Sequence, residues 1–562
     1  MKNKPLILSN KLSISEALNS FNSTTNVIKG FAIVLDSSNL FFSVVTDGDF
    51  RRAFSKGIST ESSIEEICSK NPKILLQNSE VKSFKNILKL EVNIPKYLPV
   101  INDKRELVDL LTINDINKSY SCDSVTLFGL GFVGLTLAVS LADNGFNVTG
   151  IDIDESLVCD LNKGEVRIFE PNLKPKLKIA LKNNKIQFNK RLIHPSSNYI
   201  ICVGTPVNEF NLKPNLDYLN KVCFEIGLIL KKNDLIMLRS TVPVGTTRDY
   251  VIPKLEEFSN LKAGLDFFVS FCPERTIEGK ALEEITNLPQ IIGGYSDICL
   301  ESSIHFWSKI SKSIVKSQNL EAAELVKLAN NTFRDLSFAF SNQLAMISSK
   351  YNVDSKELIE SANNGYPRNQ ISLPSPGVGG YCLTKDPYLY STNIFGEETP
   401  DSLGIISRKI NNKMLGFSLK YIKDFKRNNP SKSHKFLIAG LAFKGVPKTN
   451  DFRGSISLHI FENLSKLYPN DVFHAFDSVI KGDIILDIGF SKSIDIDVVD
   501  VNDYDLLLIL NNSEDHKKFE KSLLKVRNKN IFIFDGWSIL DKKLILSKPN
   551  LKYCNLGYCS DE

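Results

Sequence analysis

A glycine-rich turn in the first quarter of this 562-residue chain constrains its fold more than any other feature. The turn has the pattern G-x-G-x-x-G and contains Gly129, Gly131, Phe132, Val133 and Gly134. An apolar, strand-like run precedes it and a helical stretch follows it. In that setting the glycines permit a tight turn, the approach of a pyrophosphate and close packing of helix on sheet. The segment therefore predicts an α/β domain that binds a dinucleotide.

An acidic residue after the next strand-like run indicates which dinucleotide would bind. That run ends at Asp152, 23 positions after the first glycine. A carboxylate there accepts both ribose hydroxyls and repels a 2′-phosphate, so NAD is favoured over NADP.

Polar turns follow three further strand-like runs. Thr205 and Pro206 stand in the first turn, Thr241 in the second and Glu274 in the third. Because ligands of a doubly wound sheet lie beyond the carboxyl ends of its strands, we expect these loops to converge near the nicotinamide. Each threonine is equally suited to capping a helix. Glu278 follows Glu274 by four residues, so on a helix the two would share a face, for which simple solvation is the alternative explanation.

A stretch without Gly or Pro, between Gly294 and Gly365, indicates long helices. Apolar residues recur there at helical spacing, which predicts one helix over 321–350 that bridges two domains. Lys327 and Asn331 are four apart and point the same way. They either form the solvent-exposed edge of an apolar helix or, if they point into a cleft, stabilise an oxyanion.

A cysteine loop follows this helical region. Gly379 stands shortly before Cys382, and Lys385 and Asp386 follow it. Glycines let backbone approach a ligand closely, and a neighbouring lysine favours the nucleophilic thiolate. A buried, inert cysteine fits the pattern as well. Cys272 is a second candidate nucleophile, although it lacks an adjacent glycine pair.

Cationic side chains near this loop and beyond it suit an anionic ligand. Arg368 lies in a turn before the cysteine loop, and guanidinium groups grip phosphate or carboxylate oxygens. Three buried-type strands predict a second α/β unit over 430–562, with Phe443 and Lys444 after its first strand. Arg453 lies where a helix opens with polar groups, a natural place for an anionic ligand.

The N-terminal region contains an internal repeat. The segment 43–49 matches 109–115, 66 residues later, and each is a short apolar strand followed by Thr-x-x-Asp. Such a turn either caps a helix or holds a phosphate and a ribose hydroxyl. The repeat predicts one twofold supersecondary unit. Its polar positions are Thr46, Asp49, Thr112 and Asp115.

Composition argues against several classes of function. The net charge of +5 comes from scattered lysines, which gives no support for nucleic-acid binding. We find no signal peptide and no apolar run of about 20 residues, so neither secretion nor a membrane span is expected. The ten cysteines form no CxxC pair, so neither a disulfide framework nor a metal site is expected. A reducing cytoplasm fits this pattern best.

Taken together, these motifs make residues 122 to about 545 resemble the UDP-glucose/GDP-mannose dehydrogenase family of NAD-dependent nucleotide-sugar 6-dehydrogenases. The resemblance implies an α/β fold with two Rossmann-like domains joined by a long central helix, usually assembled as a dimer on that helix. The N-terminal repeat resembles a tandem cystathionine-β-synthase (CBS)-type domain pair, a small α/β domain that usually binds adenine nucleotides and regulates an attached enzyme, or mediates dimerisation. The implied domains are a regulatory CBS pair at 1–120, an NAD-binding domain at 122–310, a central helical domain with the cysteine loop at 311–425 and a UDP-sugar-binding domain at 430–562.

The resemblance also implies a role for each motif residue. Cys382 would hold the sugar as a thiohemiacetal and then as a thioester during four-electron oxidation of its C6 hydroxyl. Glu278, with Thr241 nearby, would help water to release the carboxylate. Lys327 and Asn331 would stabilise oxyanions, and Asp386 would serve the proton and water network. The implied cofactor-binding residues are Gly129, Gly131, Phe132, Val133, Gly134, Asp152, Thr205, Pro206, Thr241 and Lys385. The implied substrate-binding residues are Glu274, Lys327, Asn331, Arg368, Gly379, Phe443, Lys444 and Arg453.

The implied product is a uronic acid for surface polysaccharide. Within the family, the runs P-E-R-T at 273–276 and L-P-Q-I-I-G-G at 288–294 resemble the branch that acts on UDP-N-acetylhexosamines. This resemblance implies UDP-N-acetylmannosamine or UDP-N-acetylglucosamine as substrate. UDP-glucose is the alternative. Two other classes of protein stay open: a two-electron, hydroxyacid-type NAD-dependent dehydrogenase and a non-catalytic nucleotide sensor.

The chain departs from the family pattern at three places. Thr384 stands where the family usually has proline, and Trp537 where an arginine often helps to bind substrate. The gap between Lys444 and Asp451 differs from the family spacing by two residues.

Overall fold

The computed structural model describes residues 5–24, 28–76, 97–112, 124–208, 212–392, 401–527 and 529–560. The chain divides into two compact units, Met1–Cys122 and Asp123–Glu562. Among the described residues, no helix combines the length and the apolar character needed to cross a membrane.

The first unit contains two three-stranded sheets of the same topology. Its elements are β1 (Leu6–Ser9), α1 (Ile14–Ser23), β2 (Phe31–Leu35), β3 (Phe41–Thr46), α2 (Asp47–Ser55), β4 (Leu75–Leu76), β5 (Tyr97–Ile101) and β6 (Leu107–Thr112). In each sheet the first two strands are parallel and the third is antiparallel to the second. Phe31 pairs with Thr46 and Tyr97 with Thr112, so both partners are displaced by 66 residues.

Packing follows the same repeat. The rings of the equivalent residues Phe31 and Tyr97 contact each other, with centroids 5.0 Å apart. Both sheets also shift register at equivalent positions, after Val34 and Val100. The predicted internal repeat is therefore confirmed.

The Thr-x-x-Asp turn of the first repeat serves as a helix cap. The hydroxyl and the backbone N–H of Thr46 both donate to the carboxylate of Asp49, at 2.7 and 2.8 Å. The sequence allowed this turn either to cap a helix or to hold a phosphate and a ribose hydroxyl, and in the structure it caps a helix. Thr112 ends β6, and Asp115 lies outside the described residues.

The second unit begins with an eight-stranded sheet. Its strands are β7 (Ser124–Phe128), β8 (Asn147–Ile151), β9 (Ile186–Asn189), β10 (Asn198–Ile201), β11 (Leu235–Leu238), β12 (Phe268–Phe271), β13 (Gln290–Gly294) and β14 (Ile314–Lys316). Its helices are α3 (Phe132–Asp143), α4 (Glu155–Asn162), α5 (Leu173–Lys182), α6 (Asp217–Gly227), α7 (Ile252–Ser259), α8 (Ala281–Asn287) and α9 (Asp297–Trp307).

This sheet has the topology of a dinucleotide-binding fold. The strand order is β14-β13-β12-β11-β10-β7-β8-β9, so β7 to β12 follow the order 3-2-1-4-5-6. Only the pair β12–β13 is antiparallel. Ile200 packs in one apolar cluster and its neighbours Tyr199 and Ile201 pack in another, because alternate residues of a strand face opposite sides. The sheet is thus covered on both faces, as the sequence predicts.

A second sheet near the C-terminus repeats this topology. Its strands are β15 (Lys435–Ala439), β16 (Val472–Phe476), β17 (Lys492–Ser493), β18 (Leu506–Ile509), β19 (Ile531–Asp535), β20 (Leu551–Asn555) and β21 (Tyr558–Cys559). The order β17-β16-β15-β18-β19-β20-β21 again gives 3-2-1-4-5-6, with β21 antiparallel to β20. Four helices accompany this sheet: α14 (Ile456–Leu467), α15 (Gly482–Asp487), α16 (Phe519–Leu523) and α17 (Lys542–Leu546).

A long central helix lies between the two sheets in the chain. The central helices are α10 (Leu320–Ser348), α11 (Ser355–Asn363), α12 (Tyr381–Ser391) and α13 (Leu403–Asn428). Helix α10 begins where the Asn319 side chain accepts a hydrogen bond from Ala322 N at 2.8 Å. It packs on α13, where the buried Asp335 carboxylate accepts from Arg408 and Asn411, both at 2.8 Å. The predicted bridging helix is confirmed to within two residues at each end.

Two sequence expectations need correction. The segment that carries Glu274 and Glu278 is not helical, and the two carboxylates have different partners. No disulfide was expected, yet Cys554 and Cys559 are bonded. The hairpin of β20 and β21 pairs these two residues directly and brings their Cα atoms to 4.2 Å, a pairing that the spacing of the cysteines does not indicate.

Candidate active site

A cavity of about 960 Å³ in the second unit collects most of the motif residues. Its walls include the loops after β7, β8, β10, β12 and β15, together with parts of α6 and α10 and the start of α12. Ligands of doubly wound sheets bind at this edge, beyond the carboxyl ends of the strands. The predicted residues that line it are Gly129, Gly131, Phe132, Val133, Gly134, Asp152, Glu274, Glu278, Lys327, Asn331, Gly379, Cys382, Phe443, Lys444 and Arg453.

The glycine-rich turn is shaped by the absence of side chains. Gly129 has a φ of +88°, and a Cβ there would lie 2.8 Å from the carbonyl oxygen of Cys202. A Cβ on Gly134 would lie 1.8 Å from the carbonyl oxygen of Gly129, which lets α3 approach the turn closely. Gly131 has no atom within 4 Å of its Cβ position, so open space remains beside it. This cradle, at the N-terminus of α3, fits a pyrophosphate.

Asp152 is fixed at the end of β8. Its carboxylate accepts from Leu130 N at 2.7 Å and from Asp154 N at 3.0 Å. It lines the cavity on the same side as the glycine-rich turn, where a carboxylate suits ribose hydroxyls. The residues present therefore fit NAD.

Cys382 lies in the first turn of α12, two residues after Gly380 at the N-cap. Both glycines before it are packed against the loop after β15: a Cβ on Gly379 would lie 2.4 Å from the Gly454 carbonyl oxygen, and one on Gly380 2.8 Å from the Phe443 ring. The thiol opens to the cavity although protein surrounds it. Burial and the Asp386 charge raise the pKa of the Cys382 thiol.

Two lysines oppose that rise in the pKa of Cys382. Lys327 and Lys385 both favour the thiolate electrostatically. The position at a helix N-terminus favours it as well. Two lysines and the helix N-terminus thus favour the thiolate, whereas burial and the Asp386 charge oppose it.

Asp386 organises the groups below the cysteine. One carboxylate oxygen accepts from Asn331 Nδ2 at 2.5 Å, and the other pairs with Lys385 Nζ at 2.5 Å. Asp386 is fully buried. Despite burial, its charge keeps the pKa of Lys385 above the ordinary value. Among Asp386, Asn331 and Lys385, only Asn331 is one of the described residues that line the cavity.

The two glutamates of the loop after β12 occupy different environments. Glu274 is buried and accepts from Arg239 Nη2 at 2.5 Å and Nε at 3.0 Å. Burial alone would raise the pKa of Glu274, but Arg239 and Lys327 hold it below its ordinary value. Burial, together with Asp451, instead raises the pKa of Glu278. Glu274 is therefore a fixed anion, while Glu278 is the carboxylate suited to taking up a proton.

Cations of the second sheet's loops face the same cavity. Lys444 Nζ donates to the Glu278 carbonyl oxygen at 2.9 Å. Arg453 is held by Asp451 through Nε at 2.9 Å and Nη2 at 2.6 Å, and its guanidinium lies 5.3 Å from the centre of the Tyr381 ring. Two positive groups on one wall suit an anionic ligand such as a diphosphate.

Several predicted site residues are not among the described residues that line the cavity. Thr205 Oγ1 donates to the Thr241 carbonyl oxygen at 2.5 Å, so these two loops contact each other directly. Arg368 is exposed, and its guanidinium lies 5.4 Å from the centre of the Tyr366 ring. The roles of these residues stay predictions. The predicted residues concerned are Thr205, Pro206, Thr241, Arg368, Lys385 and Asp386.

Two of the three departures from the family pattern, Thr384 and Trp537, make local hydrogen bonds. Thr384 Oγ1 donates to the Gly380 carbonyl oxygen at 2.9 Å in the first turn of α12. Trp537 Nε1 donates to the Leu510 carbonyl oxygen at 3.0 Å.

Sequence reasoning missed cavity residues whose only signal was proximity to a motif, namely Asn330, Phe333, Arg334 and Tyr381.

Known proteins resemble this chain over the second unit. Residues 123–311 match the NAD binding domain of the UDP-glucose/GDP-mannose dehydrogenase family, and residues 321–413 match its central domain. A UDP-N-acetyl-D-mannosamine dehydrogenase from Pyrococcus horikoshii is 34% identical over 348 residues, which is 60% of this chain and 80% of the relative. An NDP-N-acetyl-D-galactosaminuronic acid dehydrogenase from Ralstonia nicotianae is 31% identical over 349 residues, 61% of this chain and 80% of the relative. The solved structure of a UDP-D-ManNAc dehydrogenase from Pyrococcus horikoshii aligns with a TM-score of 0.67 at 29% identity, over 77% of this chain and 99% of its own.

Proposed function

Because this chain belongs to the UDP-glucose/GDP-mannose dehydrogenase family, we propose that it oxidises the C6 hydroxyl of a UDP-sugar to a carboxylate with NAD as electron acceptor. One observation carries the proposal. Cys382, at the N-terminus of α12, opens into the same cavity as the glycine-rich turn, Lys327 and Glu278. A dehydrogenase that stopped at the aldehyde would have no use for a nucleophile at that place.

The residues of the cavity divide the reaction between them. The glycine-rich turn and Asp152 would hold NAD, and two NAD molecules in succession would each accept one of the two hydrides that leave C6. Cys382 adds its sulfur to the aldehyde carbon, and Lys327 and Asn331, which line the same cavity, stabilise the negative charge on the thiohemiacetal oxygen. Cys382 then carries the oxidised carbon as a thioester. Glu278 takes a proton from the water that attacks the acyl carbon, the C–S bond breaks, and the sugar leaves as a carboxylate.

The sugar is proposed to be a UDP-N-acetylhexosamine. The names of the relatives from Pyrococcus horikoshii and Ralstonia nicotianae both refer to N-acetylated hexosamine derivatives. UDP-N-acetylmannosamine and UDP-N-acetylglucosamine are the first candidates, and UDP-glucose is the alternative. The uronic acid would serve surface polysaccharide, and the enzyme would act in the cytoplasm, where nucleotide-sugars are available.

The stoichiometry of NADH tests the proposed function. The purified chain is incubated with NAD and each member of a panel of UDP- and GDP-sugars, and NADH and the acid product are measured. We expect two NADH per sugar with at least one UDP-N-acetylhexosamine. A ratio of one would favour the two-electron, hydroxyacid-type dehydrogenase, and no NADH with any sugar would favour the non-catalytic sensor.

The charge of Lys444 is expected to limit substrate capture at high pH. Burial and the nearby Arg334 lower the pKa of Lys444 to about 8, although Glu278 acts in the opposite direction. Because the ammonium becomes neutral above that pH, kcat/KM for the sugar nucleotide is expected to fall as pH rises through about 8. Lys444→Arg keeps the charge and is expected to remove this fall. Identical pH profiles for the two proteins would contradict a role for Lys444 in binding the diphosphate.

The first unit is proposed to be a CBS pair that tunes the enzyme, within four domains at 1–120, 122–310, 311–425 and 430–562. The doubled sheet and the repeated Thr-x-x-Asp turn support the assignment. Since Thr46 and Asp49 are bonded to each other, an adenine nucleotide would have to replace that capping bond. Titration of the full chain with AMP, ADP and ATP, followed by calorimetry and by activity, tests the proposal. If no nucleotide binds and none changes the rate, the proposal is contradicted.

A homodimer, or a higher oligomer built from it, is proposed to form on α10. Phe333, Phe340 and Ile347 recur every seven residues along this helix and are exposed by 70%, 56% and 51%. Such spacing places apolar side chains along one side of a helix, where a second copy can cover them. Phe340→Glu is expected to lower the mass observed by sedimentation, and an unchanged mass would exclude this face as the interface.

A further inference from the structure

The loop between Phe443 and Arg453 connects the second sheet to the NAD-binding fold. Asn450 Oδ1 accepts from Phe169 N at 2.7 Å, and its Nδ2 donates to the Arg167 carbonyl oxygen at 2.8 Å. A Cβ on Gly279 would lie 2.5 Å from the Lys448 carbonyl oxygen, so the two backbones touch. The loop is thus fixed against the segment that carries Glu278.

Thr449 makes the central contact of this loop. Its hydroxyl donates to Glu278 Oε2 at 2.8 Å and accepts from Asp451 N at 3.1 Å. A hydroxyl has one proton to give, and the N–H of Asp451 occupies an acceptor position, so the proton of Thr449 is committed to Glu278. Thr449 is 3% exposed, which excludes water as a competing partner for most of its surface.

Only one oxygen of Glu278 is used by this contact. Among the described residues, Oε1 accepts no hydrogen bond, and the side chain lines the cavity that Cys382 enters. The groups that face Glu278 are Asp451, Lys444, Arg453 and Cys382. Thr449 therefore fixes one edge of the carboxylate and leaves the other for a water molecule.

We propose that Thr449 is a positioning residue for thioester hydrolysis, because it orients the Glu278 carboxylate from the loop after β15. The proposal rests on the proposed function. In the step concerned, water oxygen bonds to the acyl carbon, one water proton passes to Glu278, and the C–S bond breaks. The sulfur leaves as the thiolate of Cys382, and the acid product loses its remaining proton to give the carboxylate. No electrons are transferred in this step, so the preceding oxidation does not depend on Thr449.

The variant Thr449→Val, made in the full chain, removes the hydroxyl while keeping the shape of the side chain. We expect NADH to form in a burst of two per active site at the rate of the unaltered enzyme, followed by slow turnover. Steady-state kcat should fall by about 10- to 100-fold, less than the ~10²–10⁴ that a general base as a whole contributes. Rapid quenching and mass spectrometry of the intact protein should show the acyl group on Cys382.

The pH profile provides a second measurement. Burial raises the pKa of Glu278, and the bond from Thr449 opposes that rise. A base is active when deprotonated, so loss of the bond should raise its pKa and move the acid limb of kcat to higher pH. Thr449→Ser keeps the hydroxyl and should restore both kcat and the position of this limb.

Matched controls separate the possible results. Asn450→Ala disrupts the same loop without touching Glu278, and it should raise KM without any accumulation of acyl-enzyme. If Thr449→Val does not fold, Thr449→Ala is measured in its place. A burst slowed as much as steady-state turnover, or an unchanged kcat, would overturn the proposal for Thr449. Failure of the unaltered enzyme to form two NADH per site would instead contradict the proposed function.

Discussion

Cys382→Ala is expected to lower the rate of uronic acid formation by about 10³-fold or more, because removal of a covalent nucleophile leaves only binding and electrostatic assistance. The substituted residue lies in the first turn of α12 and opens to the cavity, so a smaller side chain disturbs little packing. Binding of NAD and of the UDP-sugar should survive, since the residues assigned to hold them, in the glycine-rich turn and at Lys444, are unchanged in this variant. Product formation is measured directly by mass spectrometry, and binding by calorimetry.

An exposed cysteine elsewhere supplies the control. Cys159 lies on α4 and is accessible to solvent, so Cys159→Ala should leave the rate unchanged. Cys272, the other candidate nucleophile, is fully buried, and its sulfur accepts from Trp307 Nε1 at 3.2 Å. Burial raises the pKa of Cys272 to about 11, which makes it a poor nucleophile. Full activity of Cys382→Ala would refute covalent catalysis at this position.

The contrast between the two cysteines shows which part of the site the sequence could predict. Gly379 and the pair Lys385-Asp386 are local in sequence, and they favoured Cys382 over Cys272 as the nucleophile. The structure shows that Cys382 is exposed and Cys272 is buried. The length of α10 was predicted equally well, because helical periodicity and the absence of Gly and Pro act within one segment. Features that depend on a single stretch of chain were therefore accessible without a structure.

Contacts between distant segments were not accessible. Thr449 and Glu278 are 171 residues apart, and no local pattern indicates that a hydroxyl and a carboxylate at that separation meet. The helix considered for Glu274 and Glu278 failed for the same reason, since Glu274 pairs with Arg239 of another strand end. The bond between Cys554 and Cys559 is a local exception, because these residues are only five apart and the signal of their hairpin in the sequence was too weak to interpret.

Two substitutions in the glycine-rich turn should have different effects: Gly131→Ala should weaken NAD binding, and Gly134→Ala should lower stability. Gly131 has φ −64° and ψ −167°, which any residue adopts, and its Cβ position meets no atom within 4 Å. Gly131→Ala should therefore change the free energy of unfolding by less than about 0.5 kcal/mol. Its methyl group would occupy the space through which a pyrophosphate approaches the backbone, so the Kd for NAD is expected to rise by about 100-fold, roughly 2.7 kcal/mol.

Gly134→Ala should behave in the opposite way. A Cβ there would lie 1.8 Å from the Gly129 carbonyl oxygen, so α3 must move away from the turn. Overpacking of this kind costs about 1–3 kcal/mol, and it should appear as a lower midpoint of unfolding. Calorimetric titration with NAD and thermal unfolding, applied to both variants, distinguish the two effects without any assay of turnover. Normal NAD affinity in Gly131→Ala would mean that the pyrophosphate does not bind at this turn, because the space beside Gly131 is the part of the cradle that the fold itself does not fill.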